Sequence, residues 1–329
     1  MIFSKSKISN MSISVIDDKP DSLDLLSKLN NRQFKLRKLK HGEIEVGFAS
    51  SQSTLKAELT EANALRDGLM HGRVVIAKGA IPPHILKSTF NQRCITWMQE
   101  AEVDRIPPKV KKQIKEEVII DLCDMAITKV SDVSFVIDLG NDLLYASCPS
   151  GSKLDVLQAS MMGVGLSSWP LNTWNLGVAQ GACSEENGSL FLLYLLHQIK
   201  TGEIEAAAPT VWSFVNKDDA GTKTAVLSNL SESKHTVRGA FQDDMWLHSL
   251  DLAVVCPESA WPFVTKLDAD WNLRAFAFPK DCSDGISRKD HLLNMSKWLR
   301  KQYVAFCDVA TSKEAVEELK THTKEMVLS

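Results

Sequence analysis

One stretch of the sequence changes its hydrophobic period, and this change limits the folds that the chain can adopt. Between Arg105 and Asp138 the sequence reads RIPPKVKKQIKEEVIIDLCDMAITKVSDVSFVID. Its adjacent prolines favour a helix start, because proline is tolerated in the first helical turn, where the N–H groups have no intrahelical partner. Apolar residues then recur at spacings of three and four, as in a helix packed on a core. These residues are Val110, Ile114, Val118, Leu122 and Met125.

The second half of the same stretch has a period of two. Val133, Phe135 and Ile137 alternate with the residues between them, which predicts a strand. Asn141 then starts a turn into LLYASC, the expected hairpin partner of that strand. The whole stretch therefore predicts a helix that leads into a sheet.

Positive charge is concentrated at the start of the predicted helix. Duplex DNA presents one charge for about every 1.7 Å of its axis, so a helix with such a cluster can meet several phosphates. Contacts to the DNA backbone need no base-reading motif. The alternative is a solvated helix flank, on which lysines are ordinary surface residues. The cluster consists of Arg105, Lys109, Lys111, Lys112 and Lys115.

A second basic segment lies nearer the N-terminus, in RQFKLRKLKH. Apolar Phe34, Leu36 and Leu39 are interleaved there with positive or titratable side chains. One interpretation is an edge strand whose lysines discourage aggregation. The other is a surface that contacts phosphates. The positive or titratable residues are Arg32, Lys35, Arg37, Lys38, Lys40 and His41.

Composition limits where a nucleic-acid site can lie. The 329 residues are 44% hydrophobic and 24% charged, as in ordinary globular proteins, and the formal net charge is −3. A nucleic-acid-binding protein of this charge must collect its positive side chains on one surface. The seven cysteines form no C-x-x-C pair, so neither zinc nor a disulfide framework is indicated, and a reducing cytoplasm fits best. No apolar run reaches the roughly 18 residues of a membrane span, and we expect no membrane partner.

Catalytic signatures are weak in this sequence. It contains no nucleotide-binding loop, no H-E-x-x-H and no G-x-S-x-G motif. We therefore expect no catalytic residues, no cofactor and no bound metal. Asp268 and Asp270 form a pair that suits Mg²⁺ in a nuclease, and the alternative for this pair is a solvated strand edge beside Trp271.

Three regions are expected along the chain. Residues 1–150 form an α+β region that contains a basic helix over 107–130, residues 151–263 form a region of helices and loops, and residues 264–329 form a second α+β region. Apolar spacing also predicts a helix over 54–70, and the closing passage YVAFCDV has the pattern of a strand.

Several of these passages resemble the RdgC family, bacterial recombination-associated proteins that form a dimeric ring around DNA. The resemblance extends over most of the chain and rests on patterns of core and charge. It includes a Gly-aromatic step at Gly47-Phe48 and the helix-to-strand stretch described above. The matching residues before, within and after that stretch are Pro82-Pro83, Lys109 to Lys115, Glu117-Val118-Ile119, Ala126-Ile127, Ile137-Asp138, Val264-Thr265-Lys266-Leu267 and Trp271.

The resemblance implies an α+β fold with mixed or antiparallel sheets and long packed helices, in an elongated and curved subunit. It also implies a cytoplasmic, nucleoid-associated homodimer that closes into a ring. Such a protein binds double-stranded DNA without sequence preference and restrains RecA-type recombination. It is expected to do so without a cofactor.

Some residues depart from the pattern of that family. Ile127 falls where the family has an aromatic residue at a ring-closing interface, and Val130 falls where it has a second one nearby. A Lys-Gln pair that the family places near DNA becomes Phe241-Gln242, so that only Gln242 is kept, beside Arg238. These departures favour an alternative function, in which a non-catalytic protein of the same fold binds a nuclease or a recombinase instead of DNA.

Overall fold

The structure is a computed structural model that divides into two compact units. Unit 1 comprises Met1–Ser22, Leu65–His71 and Ser134–Ser329, and unit 2 comprises Leu23–Ala64 and Gly72–Val133. The structure describes residues 7–18, 20–51, 58–66, 68–148, 151–170, 187–207, 212–216, 223–227, 246–255, 261–269, 271–282, 285–310 and 313–328.

The described residues contain strands and helices in mixed order along the chain. The strands are β1 (Lys7–Ile16), β2 (Ile44–Ala49), β3 (Leu65–Arg66), β4 (Leu69–Ala80), β5 (Ile127–Asp138), β6 (Leu143–Ala146), β7 (Ser168–Pro170), β8 (Ala206–Ala207), β9 (Trp212–Asn216), β10 (Lys223–Leu227), β11 (Trp246–Val254), β12 (Phe263–Asp268) and β13 (Leu273–Ala277). The helices are α1 (Ser22–Asn31), α2 (Glu61–Ala64), α3 (Pro83–Glu100), α4 (Pro108–Asp121), α5 (Ser152–Met162), α6 (Asn187–Thr201), α7 (Gly285–Val309) and α8 (Lys313–Leu328).

The predicted α+β class is confirmed, with antiparallel pairing between the strands of the described part of the chain. The expected hairpin is also present, because β5 pairs with β6 from Phe135↔Ala146 to Asp138↔Leu143. Asn141 lies within the turn between these strands, where its backbone N–H donates to the Asp138 carboxylate at 3.1 Å. Among the described helices, none combines the length and the apolar composition that a membrane crossing requires.

Unit 1 is organised around β1, which has neighbours on both sides. Its first half pairs with β13 and its second half with β6, with Ile8 opposite Phe276 and Ile13 opposite Tyr145. Helix α6 packs against β11, α7 and α8. Residues 190–196 of α6 are all buried, which is the property of a helix that is apolar around its whole circumference. The helix ends at Thr201, and Gly202 follows it with a φ of 81°, the left-handed conformation that commonly terminates a helix.

His291 lies on α7 inside the aromatic core of unit 1, where it is 1% exposed. Its ring centroid is 4.8 Å from that of Phe263 and 5.8 Å from that of Phe276. Burial lowers the pKa of His291 to about 4, because charging the imidazole there costs solvation free energy.

This pKa predicts a loss of stability in acid. In the unfolded chain a histidine titrates near pH 6.5, so the unfolded state binds the proton first as the pH falls. The contribution of His291 is complete above pH 6.5 and is lost progressively towards pH 4, by about 3 kcal/mol in the free energy of unfolding. Urea unfolding of the His291→Phe variant should show a drop between pH 7 and pH 4 that is smaller by about that amount. An equal drop in variant and wild type contradicts this explanation.

Three sequence predictions of helix and strand need correction. The passage YVAFCDV is the last part of helix α7, not a closing strand, since Leu299, Tyr303 and Phe306 are buried at helical spacing. The helix expected over 54–70 is short, because α2 ends at Ala64 and β4 begins at Leu69; residues 52–57 lie outside the described part. The basic helix predicted over 107–130 ends at Asp121, since the β-branched residues from Ile127 onwards form β5.

In unit 2, the basic segment 32–40 lies on the β2–β4 pair without forming a regular strand of its own. Its apolar residues bury themselves against the sheet, and the backbone N–H of Phe34 donates to Phe48 O at 2.8 Å. The cluster that results consists of Phe34, Leu39, Ala49, Val75 and Ala77. The alternating pattern of the segment therefore reflects anchoring of an irregular chain, and the edge strand, one of the two interpretations of this segment, is not formed.

Candidate nucleic-acid interface

Helices α3 and α4 pack together in unit 2 through one apolar cluster. Ile114 and Val118 are its buried residues on α4, as the spacing predicted, and Cys94 is its buried residue on α3. Trp97 packs on the same cluster. An ion pair of 2.7 Å between Arg93 and Asp121 joins the two helices on their outer side. The apolar cluster and this ion pair therefore hold α4 against α3.

A groove of about 560 Å³ runs between these two helices, and its rim carries four lysines. The rim consists of Lys87 from α3 and of Lys111, Lys112 and Lys115 from α4. The floor is apolar and consists of Pro83, Leu86, Phe90 and Pro108. We call this feature the lysine groove.

Helical geometry explains why these lysines share one side of α4. At 3.6 residues per turn, Lys111 and Lys115 lie about 60° and about 100° around the helix from the buried Ile114. Lys112 lies further round in the same direction. Lys109 lies about 60° beyond Lys112, furthest from Lys111, and lines none of the grooves described here. Of the four lysines predicted to form one cluster on this helix, Lys111, Lys112 and Lys115 therefore line the groove and Lys109 does not.

The lysines of the groove are mostly free of acidic neighbours. Among the described residues, Lys112 has Glu116 at 3.9 Å, and both of these side chains are largely exposed. Lys87, Lys111 and Lys115 form no ion pair with any described residue. Since no described carboxylate pairs with Lys87, Lys111 or Lys115, these ammonium groups remain available to an anionic ligand.

Arg105 lies just before α4 and lines a neighbouring groove of about 460 Å³. Lys111 lines this groove as well, so it links Arg105 to the lysine groove. Asp104 also lines it, which makes this groove less positive than the lysine groove.

The other basic segment is more fully neutralised. Arg37 pairs with Glu45, and the hydrogen bond that its Nε donates to this carboxylate raises the pKa of the guanidinium. The Lys40 ammonium lies 3.1 Å from the Asp124 carboxylate, and the hydrogen bond that it donates to this carboxylate raises the pKa of the ammonium. The segment thus meets the chain just beyond the C-terminal end of α4. Its remaining cations, Arg32, Lys35 and Lys38, form no ion pair with any described residue.

Part of this segment lines a third groove, of about 740 Å³. Arg37 and Lys38 lie there beside Arg73, whose guanidinium is 3.5 Å from Asp132 and whose Nε donates to Ser50 O at 3.0 Å. Arg32, Lys35 and Lys40 line none of the three grooves. The basic segment 32–40 and the basic start of α4 therefore lie in the same unit but line different grooves.

The two residues expected at a dimer interface are half exposed. Ile127 is 50% exposed and Val130 is 47% exposed. They lie three residues apart on β5, so their side chains leave opposite faces of the strand. Val130 lines the third groove together with Leu36, which is 56% exposed.

Three of the predicted site residues, Arg238, Gln242 and Asp270, lie outside the described residues. Asp268 is described and is 1% exposed. Its carboxylate accepts hydrogen bonds from the backbone N–H of Asn272 at 2.9 Å and from Arg274 Nε at 2.7 Å. Asp268 therefore stabilises the turn between β12 and β13. Among the described residues, no group of three or more His, Cys, Asp or Glu side chains is placed to hold a metal ion.

Charge is distributed unevenly between the two units. Unit 2 contains 17 Lys and Arg against 13 Asp and Glu, a formal charge of +4, although the whole chain carries −3. The remainder of the chain therefore carries −7. Such an uneven distribution of charge is expected when a protein of negative net charge binds a polyanion on one surface.

Lys87 is the residue of the lysine groove that sequence reasoning did not identify. It is a single lysine on α3, and only the packing of α3 on α4 brings it beside Lys111 and Lys115. The sequence as a whole matches no protein-family model and no curated protein closely enough to show a family.

Proposed function

We propose that this protein binds double-stranded DNA without sequence preference. The observation that carries the proposal is the lysine groove, where three of four lysines form no ion pair with any described residue, in a unit of formal charge +4. Lysine ammonium groups attract phosphates as point charges and do not read base edges. Binding by such groups is strong at low salt and similar for all sequences.

The further part of the proposal is that the protein acts as a homodimer and restrains RecA-type recombination by occupying DNA, as a divergent relative of the RdgC family. Val130 and Leu36, half exposed in the same groove, support self-association, because apolar side chains at an interface lose contact with water. A twofold dimer presents each lysine twice and so compensates for a modest local charge.

Salt dependence tests the DNA-binding proposal. Affinity should be measured for two duplexes of equal length and unrelated sequence, from 50 to 200 mM salt. If about three to four lysines contact phosphates, the logarithm of the affinity falls against the logarithm of the salt concentration with a slope of about −3 or steeper. The two duplexes should bind with affinities within about twofold of each other. An affinity that does not change with salt, or a strong preference for one sequence, contradicts the proposal.

A further inference from the structure

The floor of the lysine groove is unsuited to a DNA backbone. Leu86 and Phe90 lie there, partly exposed, packed on the cluster that joins α3 to α4. The phosphates of a duplex gain their contacts from the lysines, and its backbone offers only the edges of deoxyribose rings to a leucine and a phenylalanine. The floor is therefore a feature that DNA binding leaves unused.

The rim restricts what kind of apolar ligand can enter. Lys111 and Lys115 are one turn apart on α4, a rise of about 6 Å, and Lys87 faces them from α3. None of the described acidic side chains lines the groove. Several cations spread along a groove complement a chain that carries several carboxylates, whereas a single charged head group meets only one or two of them.

From this combination we infer that the lysine groove also binds an acidic, amphipathic peptide segment of a partner protein. An apolar side chain of the peptide contacts Phe90 and Leu86, while its carboxylates pair with Lys87, Lys111 and Lys115. This is the arrangement of an amphipathic helix in a groove, with an apolar anchor at the centre and charges at the rim. The same peptide excludes DNA from these lysines, and this second part rests on the proposed function.

A pair of synthetic peptides tests the inference. One is a fluorescent 14-residue peptide of Glu and Ala with Phe and Leu four residues apart, and its control has Ala at those two positions and the same charge. Fluorescence anisotropy at physiological salt should show that the first peptide binds at least about 10-fold more tightly, since only it can bury apolar surface on the floor. Equal binding of the two peptides, or no binding of either, overturns the inference.

Two further measurements complete the test. The Phe90→Ala variant should bind both peptides equally; if circular dichroism shows that this variant is unfolded, the peptide pair on the wild-type protein decides alone. The unlabelled apolar peptide should displace a bound duplex with the midpoint calculated from the peptide's Kd, the duplex's Kd and the duplex concentration. Simultaneous binding without displacement overturns the exclusion of DNA. If no duplex binds at all, the proposed function fails, while the peptide comparison still decides the first part.

Discussion

Replacing Lys111, Lys112 and Lys115 together by glutamate is expected to lower the affinity for duplex DNA about 100-fold at physiological salt. Each ammonium contributes one charge-assisted contact to a phosphate, and the loss of three such contacts costs about 3 kcal/mol if each is worth about 1 kcal/mol. The slope of the salt dependence should become shallower by about 3, because three fewer counterions are released. Fluorescence anisotropy with a labelled duplex at several salt concentrations measures both quantities.

The control for this experiment lies on the same helix. Lys109→Glu changes the same charge as Lys111→Glu, only two residues away, but on the side of α4 that does not face the lysine groove. We expect Lys111→Glu to weaken DNA binding and Lys109→Glu to have little effect. Glutamate near the start of a helix is favourable with respect to the helix dipole, so neither variant should lose α4. Equal effects of the two single variants indicate that only the total charge matters, which contradicts a role for the groove.

Gly79→Ala is expected to destabilise unit 2 by about 3 kcal/mol or more. A Cβ atom at Gly79 would overlap the carbonyl oxygen of Lys40 and would lie 2.9 Å from Leu39 O. Both obstacles are backbone atoms, which cannot rotate away as a flexible side chain can. The segment 32–40 would have to leave the sheet and take Phe34 and Leu39 out of their cluster.

Gly140→Ala is the matched control for that substitution. A Cβ atom at Gly140 meets only the Asp138 side chain, at 3.4 Å. The free energy of unfolding should therefore change by less than about 1 kcal/mol for Gly140→Ala, as for most surface substitutions. Urea unfolding of the two variants and the wild type compares them directly. Similar stabilities for all three proteins contradict the close approach of Lys40 to β4.

Local patterns in the sequence were sufficient for elements whose apolar spacing is regular. The stripe of Ile114 and Val118 predicted α4 and its buried side, and the period-two alternation up to Ile137 predicted the second half of β5. The prediction of a strand over residues 303–309 was wrong, because adjacent apolar residues are compatible with both a strand and a fully buried helix. Their role depends on α6, which packs on α7 and encloses Tyr303 and Phe306 in aromatic contacts.

The lysine groove shows what one segment of sequence cannot reveal. The charge of α4 was evident, but the division of Lys109 from Lys111 follows from the side of the helix that packs on α3. Lys87 had no local signal of any kind. The neutralisation of Arg37 and Lys40 was also not predictable, because their partners Glu45 and Asp124 are brought near by the fold.

The proposal that the lysine groove binds duplex DNA is tested most directly by acetylating the lysines with a soluble, amine-reactive reagent. The reaction is run with and without saturating duplex DNA. Mass spectrometry of the digested protein gives the extent of reaction at each lysine. We expect Lys87, Lys111, Lys112 and Lys115 to become protected in the complex, while Lys109 keeps its reactivity. If these four lysines react as fast in the saturated complex as in the free protein, the lysine groove is not where this protein binds DNA.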